Sequence, residues 1–108
     1  MYVERGDIWI VDLPDSVGCE QRGTRPAIVV SNDYANEYSP VIEIVFLTSK
    51  NKKPLPTHVV MDNKYGTAIC EQIHSVDKSR LIDYKGKCTD KEMMRVNRAL
   101  MISLGIIM

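Results

Sequence analysis

Two short polar stretches carry side chains that suit phosphate chemistry. Residues 18–26 are rich in charged and polar groups and place Arg25 directly before Pro26, while Thr48 and Ser49 follow the apolar run 44–47. A guanidinium group and a hydroxyl donor supply the positive charge and the directional hydrogen bonds that stabilise a phosphate as negative charge develops on it. Spacing alone favours a plainer interpretation, in which Arg25 forms a surface ion pair and Thr48 ends a strand.

The elements that would position these groups are short strands. β-branched and aromatic residues bounded by Gly, Pro, Asn and Asp predict strands. We predict them at 7–13, 26–31, 41–48, 57–61, 67–74 and 79–87. The composition predicts exposed loops at 15–25 and 49–56. It also predicts a brief helical turn at 31–37. The pattern indicates a strongly curved sheet or a partly open barrel.

The C-terminal segment has helical rather than strand periodicity. Thr89 and Glu92 form a predicted capping box, and the spacing predicts one helix over residues 90–104. The stripe expected to face the core is Met93, Val96, Leu100 and Leu104. The surplus apolar residues are Met93, Met94, Met101, Ile106, Ile107 and Met108. They either close the barrel or form a contact between two copies of the chain.

Length and charge set limits on the class of protein. A chain of 108 residues predicts a single domain spanning 1–108. Its 14 basic and 14 acidic side chains cancel, which argues against charge-driven capture of duplex DNA. Residues 1–50 hold four Lys and Arg against eight Asp and Glu, and residues 51–108 hold ten against six. Either a basic face or an evenly mixed surface fits this distribution.

The sequence predicts a cytoplasmic protein without a membrane anchor. Its apolar runs are too short to cross a bilayer. Charged residues, Glu4, Arg5 and Asp7, stand where a signal peptide needs an apolar stretch.

The cysteines and histidines do not have the spacing of a metal site. Cys19, Cys70 and Cys88 contain no C-x-x-C pair, and His58 and His74 form no paired motif. We expect the cysteines to be small packing residues in a reducing compartment. We therefore expect neither a metal nor another cofactor.

Six segments spread along the chain carry a resemblance to a known family: 5–9, 18–32, 55–59, 71–73, 77–81 and 103–105. The pattern E-Q-x-G-x-R-P at 20–26 is the most specific of them. On these segments, and along essentially its whole length, the sequence resembles the MazF/PemK family of RNA-cleaving toxins. The resemblance implies a mainly β fold, an SH3-like β-barrel of the MazF/PemK/CcdB-like toxin type, with a C-terminal α-helix.

The same resemblance implies roles for individual residues. Arg25 matches the arginine that handles charge and proton transfer at the scissile phosphate, and Thr48 matches the hydroxyl residue that stabilises it. Glu20 and Gln21 match the loop that lies along the RNA. Because arginine is a poor base at its usual pKa, Glu20 is the easier candidate for the catalytic base.

Further RNA-binding candidates are Cys19, Ser31, Asn32 and Gln72. The sequence departs from the family at Val17 and Cys19, where an aromatic residue and a serine are usual. Both changes would alter base contacts and therefore leave the cleavage motif open.

The activity implied by the family needs no metal. The 2′-hydroxyl of single-stranded RNA attacks the adjacent phosphorus and leaves a 2′,3′-cyclic phosphate and a 5′-hydroxyl end. The family also implies a homodimer with RNA in a shared groove. Its second partner is a cognate antitoxin of the MazE type, whose disordered acidic tail fills that groove, with the lysines at 50–53 as a candidate contact.

Two alternatives remain from other functional classes. A non-enzymatic toxin of the CcdB kind binds DNA gyrase through a C-terminal tryptophan, whereas the single tryptophan here is Trp9. An SH3-like adaptor needs aromatic platforms, and aromatic residues make up only 6% of this chain. Incubation with long single-stranded RNA in EDTA separates both from a nuclease.

Overall fold

The computed structural model describes residues 1–13, 23–50 and 53–108 of the protein. Its elements are β1 (Asp7–Leu13), β2 (Gly23–Val29), α1 (Asp33–Tyr38), β3 (Val41–Thr48), β4 (His58–Val60), β5 (Thr67–Asp77), a 3-10 turn (Lys78–Arg80), β6 (Leu81–Lys87) and α2 (Asp90–Ser103). The prediction of a mainly β fold with a C-terminal α-helix is confirmed.

The strands form one antiparallel sheet in the order β4-β5-β3-β2-β1-β6. Neighbouring residues along a strand point to opposite faces, so β2 places Ile28 on one face and Val29 on the other. Both faces are apolar. One packs against α2, and the other gathers residues from five strands into a second cluster. A single cluster that joins Val11 on β1 with Val76 on β5 requires the sheet to curve strongly.

Several strand boundaries differ from the predicted ones. β2 ends at Val29 rather than at Ser31, and β4 covers His58–Val60 rather than 57–61. β2 begins at Gly23 rather than at Pro26, because residues 23–26 pair with β1. β5 continues to Asp77, where its pairing with Val41 of β3 ends. The Asp77 side chain then accepts a hydrogen bond from the Ser79 amide and begins the 3-10 turn, which delays β6 until Leu81.

Helix α2 begins with the predicted capping box. The Thr89 hydroxyl accepts from the Glu92 amide at 3.1 Å, and the Glu92 carboxylate accepts from the Thr89 amide at 2.8 Å. Val96 and Leu100 are buried against the sheet as predicted. In the part of the chain described, no helix is both long enough and apolar enough to span a membrane.

The prediction that Leu104 faces the core is wrong. Leu104 is 63% exposed, because α2 ends at Ser103 and the chain turns at Gly105, whose φ is +73°. Ala99 completes the buried stripe in its place. The exposed Leu104 therefore joins Ile106 and Met108 as apolar surface at the C-terminus.

Cys70 and Cys88 are buried and free, which confirms their predicted packing role. Burial raises the pKa of each thiol from its ordinary 9.0 to about 12. Both side chains belong to the apolar cluster beneath α2. Cys19 lies outside the described residues.

Candidate functional site

Arg25 and Thr48 face each other where two central strands separate. β2 and β3 pair from Val29 opposite Ile44 to Ala27 opposite Phe46, and their pairing ends there. The same antiparallel register, extended by two residues, sets Arg25 opposite Thr48. Pro26, the first residue beyond the last β2–β3 pair, has no N–H to donate to a neighbouring strand.

A cavity of about 390 Å³ lies beyond the last β2–β3 pair. Its volume falls at the lower end of the range for small-ligand sites. The residues that line it are Thr24, Arg25, Pro26, Leu47, Thr48, Ser49, Lys64 and Tyr65. The two residues predicted to handle the phosphate are therefore brought together in one concave site.

Arg25 keeps unused hydrogen-bonding capacity beside this cavity. Its Nε is buried and has no hydrogen-bond partner within residues 1–13, 23–50 and 53–108. A buried donor without an acceptor costs about 1–3 kcal/mol. An anion bound in the cavity would supply the acceptor.

Thr48 is a buried, hydrogen-bonded residue of the cavity lining. It is only 3% exposed, and its Oγ1 accepts a hydrogen bond from the Lys50 amide at 3.2 Å. That bond uses the oxygen as an acceptor and leaves the hydroxyl hydrogen to donate. On its other side Thr48 pairs with Thr67, the first residue of β5.

The turn between β4 and β5 forms the remaining wall. Lys64 and Tyr65 line the cavity from this turn, and the Lys64 ammonium lies 5.4 Å from the centre of the Tyr65 ring. The Tyr65 amide donates to the Asn63 side chain at 2.8 Å, which shapes the turn locally. Gly66 closes it with a φ of +95°, a conformation that favours glycine.

The helix α2 anchors the same turn through Glu92. This buried carboxylate accepts from the Asp62 amide at 2.8 Å and from the Asn63 side-chain amide at 3.3 Å, in addition to its capping bond. An ion pair at 2.8 Å between Arg95 and Asp62 adds a second link. Glu92 thus joins the start of α2 to a wall of the cavity.

Two predicted RNA-binding residues have their side chains engaged in structure. The Ser31 hydroxyl is buried, donates to the Asn36 side chain and accepts from the Glu43 amide at 3.1 Å. The Asn32 side chain caps α1 by accepting from the Ala35 amide at 2.8 Å. Contact of Ser31 or Asn32 with RNA stays a prediction.

Of the remaining predicted site residues, Gln72 is the one among the described residues. Gln72 is half-buried in β5, where the pairing with β3 shifts register, and it does not line the cavity. Glu20, Gln21 and Cys19 lie outside the described residues. Within the described ranges no group of three or more His, Cys, Asp or Glu side chains could hold a metal ion.

Lys64 and Tyr65 were not predicted as site residues. In the sequence they belong to an ordinary turn before a strand. The pairing of Thr48 with Thr67 brings that turn to the cavity. The local sequence that could have indicated a site here is a lysine and a tyrosine directly before a turn glycine. Such a combination is common in solvent-exposed turns.

Comparison with known proteins places the chain in a family. Residues 4–104 match the model of the PemK-like, MazF-like toxins of type II toxin–antitoxin systems. The chain is 42% identical to endoribonuclease EndoA of Bacillus subtilis, over 99% of this chain and 98% of that protein. It is 38% identical to endoribonuclease MazF of Staphylococcus saprophyticus, over 96% and 92%.

Solved structures agree with this assignment. An endoribonuclease from a mycobacterial species, solved in complex with its cognate antitoxin, superposes with a TM-score of 0.84 at 28% identity, covering 98% of both chains. The family match, the relatives and the shared fold all extend over nearly the full chain, and the chain belongs to the family of PemK-like, MazF-like toxins of type II toxin–antitoxin systems.

Proposed function

We propose that this protein is a sequence-specific, ribosome-independent toxin that cleaves single-stranded RNA, mRNA above all, without a metal ion. That the chain is an endoribonuclease follows from its family and from relatives named for that activity. One observation supports the finer proposal: Arg25 and Thr48 line a single cavity between two splayed strands. We take residues 1–108 to form one domain of this family.

The proposed reaction uses the nucleophile of the substrate. The 2′-oxygen attacks the adjacent phosphorus and loses its proton to a base, the bond to the 5′-oxygen breaks, and the leaving oxygen takes up a proton. The products are a 2′,3′-cyclic phosphate and a 5′-hydroxyl end. Arg25 neutralises charge on the non-bridging oxygens, and the Thr48 hydroxyl donates to them as that charge grows.

The base is assigned separately from these two residues. Arginine stays protonated in proteins and therefore serves as a charge and a donor rather than as a proton acceptor. Among the residues carried over from the family, Glu20 has the chemistry of a base at neutral pH. We propose Glu20 as the base, with Cys19, Gln21, Ser31, Asn32 and Gln72 as contacts to the RNA.

The proposed partners follow from the family and from the surface. Relatives have been solved with their antitoxins, and we propose that a cognate antitoxin of the MazE type neutralises this toxin as well. We also propose a homodimer, because Leu104 and Ile106 leave apolar surface in water at the end of α2. The cytoplasm is the expected site of action on mRNA.

The decisive experiment compares two substrates in EDTA. The wild-type protein should cut a long single-stranded RNA, and products should carry 2′,3′-cyclic phosphate and 5′-hydroxyl ends. A matched RNA with one 2′-deoxy nucleotide before the mapped cut should resist cleavage at that position. Cleavage of the deoxy substrate there, or dependence on added magnesium, would contradict internal attack by the 2′-hydroxyl.

A further inference from the structure

The cavity lined by Arg25 and Thr48 carries a second cation, Lys64. Lys64 and Tyr65 both line the cavity, yet Lys64 is otherwise exposed to solvent. The Lys64 ammonium has no carboxylate partner among the salt bridges of the described residues. The ammonium lies beside the Tyr65 ring, whose face attracts a cation. The N–H groups of the ammonium stay available to donate.

The turn that carries Lys64 is fixed at both ends. Glu92 accepts hydrogen bonds from Asp62 and Asn63 at its beginning. Gly66 packs against the Thr48 carbonyl at its end. The backbone before Lys64 is therefore positioned by Glu92, and the backbone after Tyr65 by Thr48, which also lines the cavity.

A second cation at this place has a clear use if the cavity takes RNA. Single-stranded RNA carries a phosphate at every nucleotide, and a site that positions one phosphate meets the next one along the backbone. A lysine binds phosphate as a point charge and tolerates varied geometry. Arginine, with its planar fork, is better suited to the phosphate that reacts.

We infer that Lys64, steadied by the Tyr65 ring, is a substrate-positioning residue that binds an RNA phosphate flanking the one held by Arg25 and Thr48. The inference rests on the proposed function and deepens it. Lys64 adds affinity and fixes the path of the strand through the cavity. It takes no part in bond making or breaking, so it acts on substrate binding and leaves the chemical step to Arg25 and Thr48.

The test replaces Lys64→Gln and compares it with Lys78→Gln. Lys78 follows the far end of β5 from the cavity and contacts the Glu37 carbonyl. Binding is measured with a 2′-O-methylated single-stranded RNA copied from a mapped cleavage site, over a range of salt concentrations. Cleavage of the unmodified RNA gives kcat and KM separately.

Lys64→Gln should weaken binding roughly tenfold, the loss expected for one hydrogen-bonded charge. It should reduce the slope of log Kd against log salt concentration by about 0.7, the value for one phosphate contact on a single strand. KM should rise by a similar factor with kcat nearly unchanged. Lys64→Arg should restore binding, and Lys78→Gln should resemble the wild type.

Suppose that the wild-type protein cleaves RNA and that Lys64→Gln keeps the wild-type salt slope and KM. This result would overturn the inference and leave the proposed function standing. A fall in kcat with unchanged KM would overturn it as well. Failure of the wild-type protein to cleave RNA would instead overturn the proposed function, and the inference with it.

Discussion

The Cα of Gly66 lies against the backbone carbonyl of Thr48 so closely that a Cβ on Gly66 would come within 2.1 Å of that oxygen. Two strands and a turn meet at this contact, since Thr48 ends β3 and Gly66 precedes β5. The absence of a side chain at Gly66 therefore allows the turn to approach Thr48, for which we propose a role in catalysis.

Replacement Gly66→Ala should destabilise the fold and impair cleavage together. The clash is with backbone, which cannot swing aside, and alanine also strains the backbone at a φ of +95°. We expect a loss of about 2–4 kcal/mol in the free energy of unfolding. The control is Gly105→Ala, which has a φ of +73° but open space around its Cβ. Equal losses in both variants, measured by urea denaturation, would show that the contact with Thr48 contributes nothing.

Removal of either group proposed to handle the phosphate should slow cleavage while the fold persists. We expect Arg25→Ala and Thr48→Val each to lower kcat/KM on the order of 100-fold or more, as for loss of a transition-state donor. Valine keeps the shape of Thr48 and removes its hydroxyl, which also takes away the acceptor of the Lys50 amide. The control Arg98→Ala changes an exposed arginine of α2. Near-normal cleavage by a folded Arg25 or Thr48 variant would remove that residue from the site.

The sequence predicted the elements with strong local signals. Strand 41–48 has the predicted bounds, because its apolar run is bounded by Pro40 and by the polar residues from Ser49 onward. The helix start was equally clear from Thr89 and Glu92. The early start of β2 was missed, since Thr24 and Arg25 are polar residues whose strand conformation depends on pairing with β1.

The site was predictable only in part for a related reason. The resemblance identified Arg25 and Thr48, and the structure brings them together. The contribution of Lys64 depends on a pairing between residues far apart in sequence, Thr48 and Thr67, and no local pattern encodes it. The exposure of Leu104 likewise depends on where α2 ends, and helix ends are the least certain feature of a periodic pattern.

Glu92 should matter more for stability than its place in a capping box implies. Its carboxylate accepts from the Thr89, Asp62 and Asn63 amides, so Glu92→Ala leaves several donors without a partner. We expect a loss of about 2–3 kcal/mol in the free energy of unfolding. Glu37→Ala, at an exposed glutamate of α1, is the control. Hydrogen exchange should also accelerate at the Asp62 amide, and an unchanged exchange rate there would contradict the proposed link.

The buried thiols should make the fold sensitive to alkaline pH. Burial raises the pKa of Cys70 and of Cys88 to about 12, so the folded state holds these protons more tightly than the unfolded state does. Their contribution to stability is complete below pH 9 and is lost as the pH rises from 9 toward 12. The slope is at most about 1.4 kcal/mol per pH unit for each thiol.

This sensitivity is measured by urea denaturation between pH 8 and about 11, with Cys70→Ala and Cys88→Ala as comparisons. Each alanine variant should be less stable near pH 8, because alanine fills less of the core, but should lose less stability on raising the pH. In the wild type, alkylation of both thiols by iodoacetamide should require unfolding. Rapid alkylation of either thiol in the folded protein would contradict its burial.

Apolar surface at the end of α2 should pair two copies of the chain. Leu104 and Ile106 are 63% and 65% exposed, and with Val30 they line a groove of about 530 Å³. Full burial of each such side chain is worth about 1.5–3 kcal/mol. A two-fold axis through this surface would bury it on both chains at once. We therefore expect a homodimer at micromolar concentration, and a shift toward monomer in Leu104→Asp and Ile106→Asp.

The matched control for these variants is Ile82→Asp, which places the same charge on an exposed isoleucine of β6. Its neighbour Leu81 pairs with Val11, toward the end of β1 that lies away from Arg5. Because Arg5 borders the groove, Ile82 lies away from the groove. Light scattering should therefore show Ile82→Asp as a dimer like the wild type.

RNA cleavage by Leu104→Asp should fall in parallel with dimer content, because we expect the RNA to lie in a groove formed by both chains. A wild-type monomer that cuts RNA at full rate would refute the dimer, and dissociation by Ile82→Asp alone would move the interface to β6.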